Sequence, residues 1–409
     1  MKIAIVGGGI GGLAAALMLG AKGFHCTVYE QAPEIREVGV GINLLPHAVK
    51  ALLEFGLVDR LRDAAIETDE LIYTNRFGQT VWKEPRGLTA GYAVPQFSIH
   101  RGRLQKVLLD AVTQRLGPIV RTGHRLASFE QSDNKVLAHF ETQGGMASAD
   151  VDMLVGADGI HSIVRRTMFP GEGAPSWNGI MIWRGATEWP SFMSGNSMVI
   201  AGGMVEKVVV YPIAQGTTPE KRLTNWTVNV RLGDSFTPIP RREDWSRPGE
   251  RSDLMKHVQR FSIPYLDVRG LLNATHDFWE YPMCDRDPLP RWSFGRVTLL
   301  GDAAHPMYPT GSNGAGQAIL DAQALTDALL ATSDVENALR SYDAVRRTAT
   351  AEIVRRNRLG GPERVIDIVE QRAPDGFDDL EAVISYGERQ KISDEYSSMA
   401  GFSKENVNA

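Results

Sequence analysis

Apolar residues in the first thirty positions follow a strand–turn–helix–strand rhythm. Residues 2–6 are a short apolar run of strand type, and residues 7–12 (Gly-Gly-Gly-Ile-Gly-Gly) carry almost no side chain. Residues 13–19 are Ala/Leu-rich and helical, and a second strand over 27–29 ends at Glu30. Farther along, periodicity predicts a helix over 46–55 stopped by Gly56 and another over 104–116 stopped by Gly117-Pro118. Residues 70–82 read as two strands about a Phe77-Gly78 turn, 126–130 and 136–141 as an antiparallel pair, and 151–156 as a buried strand. From Trp177 to Tyr281 the strands (181–187, 197–201, 208–211, 226–230) become β-branched and aromatic, separated by Gly, Pro and polar loops. That change predicts a mostly antiparallel sheet layer distinct from the first part. After a last buried strand over 296–300, a Gly-rich turn over 310–314 opens a helix through Leu330, and a helix over 335–358 precedes a polar tail. The pattern predicts an α/β fold whose nucleotide domain is discontinuous, comprising 1–70, 96–175 and 283–345. Residues 71–95 and 176–282 would form the inserted sheet domain, and 346–409 C-terminal helices and tail.

Composition narrows this little. The length of 409 residues suits two domains, and 43% hydrophobic residues, 23% charged residues and a net charge of −5 describe an ordinary globular protein. Nothing in that balance suggests nucleic acid as a partner. Only two cysteines occur, Cys26 and Cys284, and no C-x-x-C, which argues against a disulfide scaffold, a zinc site and dithiol redox chemistry. No His/Cys/carboxylate cluster of ligand spacing appears, so no metal is expected. One Lys before a Gly-broken apolar run is a strand rather than a signal peptide, and no apolar segment is long enough to span a bilayer. The cytoplasm is the expected compartment, with no membrane partner.

The chemistry lies at three strand ends. Gly7, Gly9 and Gly12 fit G-x-G-x-x-G in the strand–turn–helix setting that dinucleotide binding requires. The helix start presents unpaired N–H groups and partial positive charge to a pyrophosphate. Glu30, at the end of the second strand, would bond ribose hydroxyls. This motif alone leaves NAD and FAD both open. Asp158-Gly159 and Gly301-Asp302 end two further strands, and ligands in an open α/β sheet bind at the carboxyl ends of strands, so the three could meet along one extended cofactor.

With Gly7-x-Gly9-x-x-Gly12, Asp158-Gly159 and Gly301-Asp302 in this order, the chain resembles the class A FAD-dependent aromatic hydroxylases over roughly residues 1–350. Segments such as 96–102 (QFSIHRG), 182–185 (IWRG), 281–283 (YPM) and 307–309 (MYP) are similar to the phenazine-modifying branch of that family; the family also includes salicylate hydroxylases. The resemblance implies a Rossmann-like FAD-binding domain (GR2-type) with non-covalent FAD. Gly7, Gly9, Ile10, Gly11 and Gly12 would hold the pyrophosphate, and Glu30 with Gln31 the adenosine ribose. Arg101 and, one turn on, Gln105 would reach phosphate or ribityl oxygens, Leu126 would flank the adenine, and Gly301 and Asp302 would contact the cofactor; Asp158 would contact it too or simply end its strand in a turn. Val40 and Gly41 would pass close to the isoalloxazine, and Pro309 would line its reaction side. Gly311, Ser312, Asn313, Gly314 and Ala315, which depart from the family's commoner Gly-Gln-Gly turn, would aim helix N–H groups at the ring carbonyl.

The implied reaction is hydroxylation of a small aromatic or N-heteroaromatic substrate by dioxygen. NAD(P)H would be the transient donor and a flavin C4a-hydroperoxide the oxidant. Tyr211 and Asn43 are the candidate substrate-facing polar groups, with a packed sheet tyrosine the alternative for the first. His47 and His305 read as hydrogen-bonded structural histidines. Arg184 could clamp a carboxylate or be an edge residue, and Arg346, Arg347, Arg355, Arg356 and Arg358 read as a solvated helix face. A halogenase or saturating reductase, a plain NAD-dependent dehydrogenase and a non-catalytic flavin-binding protein stay open, as do monomer and homodimer. The dehydrogenase leaves Gly301-Asp302 without a role, and the W-x-W-x-I-P halogenase signature is absent.

Overall fold

The computed structural model describes residues 1–234, 236–240 and 246–409. A sheet runs in the order Ser293–Phe294, Val297–Leu299, Met153–Gly156, Lys2–Val6, His25–Tyr29, Val120–Arg121, parallel except at the Ser293–Phe294 edge. Its inner strands are apolar along their whole length because helices cover them. Helix Ile10–Ala21, almost entirely Ala, Leu and Gly, packs against helices Arg101–Leu116 and Gly314–Ala331. Strands Arg125–Gln131, Val136–Thr142 and Gly145–Val151 form a small antiparallel sheet; its third strand, with residues facing solvent on one side, carries too little apolar signal to be read from sequence.

The second layer is a seven-stranded sheet in the order Phe278–Asp285, Ser176–Pro190, Lys221–Arg231, Glu206–Gln215, Ser197–Ala201, Glu70–Thr74, Thr80–Pro85. All its pairs are antiparallel except Ser197–Ala201 with Glu70–Thr74. Side-chain alternation gives it two buried faces. Ile72, Trp183, Val199, Val208, Val210 and Trp226 face a cluster with the 254–278 segment, while Tyr73, Met198, Ile200, Val209 and Tyr211 face the other way. Burial on both sides explains why residues 208–214 are apolar without alternation. Strand Phe278–Asp285 runs through the expected domain boundary at 283, and helix Val335–Arg358 through the one at 346.

The expected polar tail is helical. Helices Arg364–Arg372 and Tyr386–Met399 follow the long helix, and Val365, Ile366 and Val369 seal the face of the sheet that carries Tyr73 and Tyr211. Their apolar residues are too sparse to stand out among charges, yet they recur at helical spacing. Among the described residues no helix is long and apolar enough to cross a membrane, and no group of three or more His, Cys, Asp or Glu is placed to hold a metal ion.

Candidate active site

The first turn is built by close backbone approach. Gly7 has φ +110°, and a Cβ on Gly12 would lie 2.0 Å from the Gly7 carbonyl oxygen, so helix and strand meet only because both are glycine. Helix Ile10–Ala21 begins at Gly9 with no side-chain cap, leaving its first N–H groups open. Gly9, Ile10 and Gly11 line a cavity of about 320 Å³ between the two layers. The Glu30 carboxylate accepts from Gly8 N (2.7 Å) and Ala32 N (2.8 Å), and Gln105 Nε2 donates to the Gly8 carbonyl (2.7 Å). Both side chains thus brace the turn, with Gln31 exposed beside Glu30.

Two expected contacts go elsewhere. The Asp158 carboxylate caps helix Ile163–Met168, accepting from Ser162 Oγ (2.5 Å) and Ile163 N (2.7 Å), and the cavity is lined instead by Ala157 and Gly159. A carboxylate that ends a strand before a short helix finds the free N–H groups of that helix first. Leu126 is buried in the core of this domain, outside the cavity lining.

Arg101 and Asp302 behave otherwise. Arg101, held by its N–H on the Val40 carbonyl (2.8 Å), reaches into the cavity. Its guanidinium makes no hydrogen bond or ion pair with the described residues. Asp302 is enclosed by protein yet open to the cavity; burial pushes its carboxyl above the usual range, with His305 and Arg101 pulling it back. Gly301 lines the same wall.

The far end of the cavity is shared by both layers. Arg184 donates to the Gly41 carbonyl and to the Tyr281 hydroxyl (both 2.9 Å), while Gly41 N donates to Asn225 Oδ1 (2.7 Å). Arg184 is therefore an inter-layer tie rather than an edge residue, and Trp183 packs on the opposite face. Tyr211 lines the cavity; burial raises its phenol far above the ordinary tyrosine range against the opposing charge of Arg184, so it stays neutral. Asn43 lines the cavity too, but its amide is engaged: Oδ1 accepts from Ser98 Oγ (2.6 Å) and Nδ2 donates to Ser312 Oγ (3.3 Å). Those bonds also position the Ser312 turn.

Pro309, Ser312, Asn313, Gly314 and Ala315 complete the wall, and Gly311 turns its N–H toward Glu363 (3.3 Å). Helix Gly314–Ala331 starts here without a side-chain cap. Deeper along it, Asp321 accepts from Gly301 N (3.0 Å), His305 Nε2 (2.5 Å) and Arg346 Nε (2.7 Å). Arg346 is thus buried, not part of a solvated face, and Arg358 pairs with Asp285 and Asp287; Arg355 and Arg356 do face solvent, paired with Glu352. His47 is buried, and burial depresses its imidazole to about 3, so it is neutral.

Sequence reasoning missed the buried ion pair Lys207–Glu363 at the end of this cavity. One signal was available: Lys207 interrupts an apolar strand at the same parity as Val209 and Tyr211.

The family model described as an FAD binding domain matches residues 1–357. The chain is 44% identical to a phenazine 1,6-dicarboxylic acid hydroxylase from Lysobacter antibioticus, over 87% of this chain and 89% of that one. It is 33% identical to a 3-amino-4-hydroxybenzoate 2-monooxygenase from Streptomyces cremeus, over 88% and 86%. Among solved structures it is similar in fold to Klebsiella pneumoniae HpxO complexed with FAD and uric acid, with TM-score 0.75 at 24% identity over 100% of this chain and 96% of that one.

Proposed function

We propose, for a chain that belongs to the FAD-binding family of class A flavoprotein monooxygenases, that FAD lies along the line from Gly9 through Arg101 and Asp302 to Gly314 and that an aromatic acid meets it beside Tyr211. The enzyme is an FAD-dependent aromatic monooxygenase using NAD(P)H and dioxygen. The observation that carries the assignment of residues is Arg101, a charged side chain aimed into the cavity without a hydrogen-bond or ion-pair partner among the described residues, opposite the open carboxylate of Asp302. A group with phosphate oxygens and sugar hydroxyls satisfies both, and the residues present fit FAD.

Bound there, FAD supplies the electron transfer from NAD(P)H and the activation of dioxygen that the side chains of this protein do not. The uncapped starts of helices Ile10–Ala21 and Gly314–Ala331 place partial positive charge at two points of the cavity, the first suited to pyrophosphate and the second to charge that builds up on the ring system. The sheet face of Met198, Ile200, Val209 and Tyr211 keeps water from the reacting end. Tyr211, neutral and without a hydrogen-bond partner among the described residues, offers its hydroxyl to the substrate oxygen; it orients and carries a proton rather than acting as a resting base.

The relatives act on a phenazine dicarboxylic acid and on an amino-hydroxybenzoate, which points to a planar aromatic or N-heteroaromatic acid here. The reading includes a cytoplasmic enzyme, monomer or homodimer, with no nucleic-acid partner. Phenazine-1,6-dicarboxylate, 3-amino-4-hydroxybenzoate and related acids should be tested for stimulated NAD(P)H oxidation, with mass spectrometry of the product. A gain of one oxygen on one of them is expected. If no aromatic acid stimulates oxidation, the substrate class is wrong.

A further inference from the structure

A second cavity, of about 580 Å³, lies between strands Glu70–Thr74 and Thr80–Pro85 and the C-terminal helix Tyr386–Met399. We propose that it is an outer holding site for the substrate, a planar aromatic ring bearing a hydrogen-bond acceptor and a donor, on the way to the flavin cavity. The proposal rests on the aromatic-acid reading above.

Three observations carry it. The two cavities share the walls Met198, Ile200, Ser312 and Glu363, so a ligand in one is a wall's width from the other. Exposure falls along the outer cavity, from Pro85, Gln390, Asp394 and Ser398 at the exposed rim to Gln96 and Ile200, 2% and 3% exposed, at its inner end. Two buried polar atoms among its lining have no hydrogen-bond partner among the described residues: Arg86 Nε, a donor, and Gln96 Oε1, an acceptor. A buried polar atom left unmet is costly, and a ligand that meets both removes that cost.

Chemistry sets the class of ligand. Tyr73, Trp82, Tyr92 and Tyr396 make the wall aromatic, which suits a flat ring. The inner charges are already paired, Arg86 with Glu84 and Lys207 with Glu363, so the site does not select for net charge. Glu84 also accepts from Trp82 Nε1 (3.3 Å) and Ser393 Oγ (2.6 Å), and it keeps those two donors while Arg86 turns its Nε–H to an incoming acceptor. A carboxylate or ring nitrogen serves Arg86, and a hydroxyl or amino group serves Gln96.

The test places an indole in the outer cavity from either wall of the FAD-loaded enzyme, as Ala90→Trp and Ser397→Trp. The association rate of 3-amino-4-hydroxybenzoate or phenazine-1,6-dicarboxylate is read in a stopped flow from the change in flavin absorbance. Both variants should lose at least tenfold in that rate while keeping FAD content and the slow oxidation of NAD(P)H without substrate. Arg86→Gln should lose several-fold. Unchanged association rates in both tryptophan variants overturn the proposal. A second readout needs no blocked variant: quenching of Trp82 fluorescence by either acid, absent from Trp82→Phe and weakened in Arg86→Gln. If neither acid perturbs the flavin of the unmodified enzyme, the substrate reading fails, and the fluorescence decides the outer site by itself: saturable Trp82 quenching keeps it, and none removes it.

Discussion

Asp302 holds a carboxylate in an enclosed place where burial disfavours the charge and only His305 and Arg101 oppose that. Such a group is tolerated in a fold chiefly when something binds it. Asp302→Ala should weaken FAD by roughly tenfold to a hundredfold, the loss of one hydrogen bond to a charged group. Fluorescence of released FAD on dilution measures it, and retention equal to the parent would remove Asp302 from the cofactor site. That Asp302 and Arg101 face the cavity was legible in the sequence because a charge at a strand end or helix start has few structural reasons to be there. The partners of Asp158 and Asn43 were not. Their side chains are short and satisfied by neighbours, a helix start for one and Ser98 with Ser312 for the other, and sequence does not state which way such a group turns.

At the level of elements, helix Gly314–Ala331 must keep its open end on the cavity, and one buried residue fixes it. Asp321 joins the helix to the Gly301 turn, to His305 and to Arg346 on helix Val335–Arg358. Burial alone would raise its carboxyl, but the His305 imidazole and the Arg346 guanidinium outweigh it and hold the group at about 2. The folded value lies below the unfolded one, so this contribution to stability is complete above about pH 4 and is lost as the pH falls toward 2. Its size is on the order of 2 kcal/mol. Asp321→Asn should therefore lower the urea midpoint at pH 7 and flatten its fall between pH 4 and 2. A variant with the parent's acid profile would show that the anchor lies elsewhere. The helix itself was plain from its apolar spacing, whereas Arg346 was misread as solvated. Among six arginines on a charged helix, only the partner across the interface distinguishes the buried one.

Across the whole molecule, the segment after residue 358 closes one face of the seven-stranded sheet and thereby walls both cavities. The layer order and most strands could be read from pattern alone, because parallel strands under helices and β-branched runs have distinct signatures. The closure could not, since it depends on long-range pairs. Glu363, at the start of that segment, pairs with Lys207 on strand Glu206–Gln215; the two side chains are 7% and 4% exposed. Such a pair gains little net stability over apolar residues of the same size, but leaving one charge alone costs about 3–5 kcal/mol. Glu363→Gln and Lys207→Met should each lower the urea midpoint strongly and loosen the C-terminal helices, seen as faster proteolysis after residue 358. The double change Lys207→Met with Glu363→Leu should recover most of the loss, because no charge is then stranded. If the double variant is as unstable as the two losses added together, the two residues are uncoupled, and each loss comes from that side chain's own packing rather than from a stranded charge.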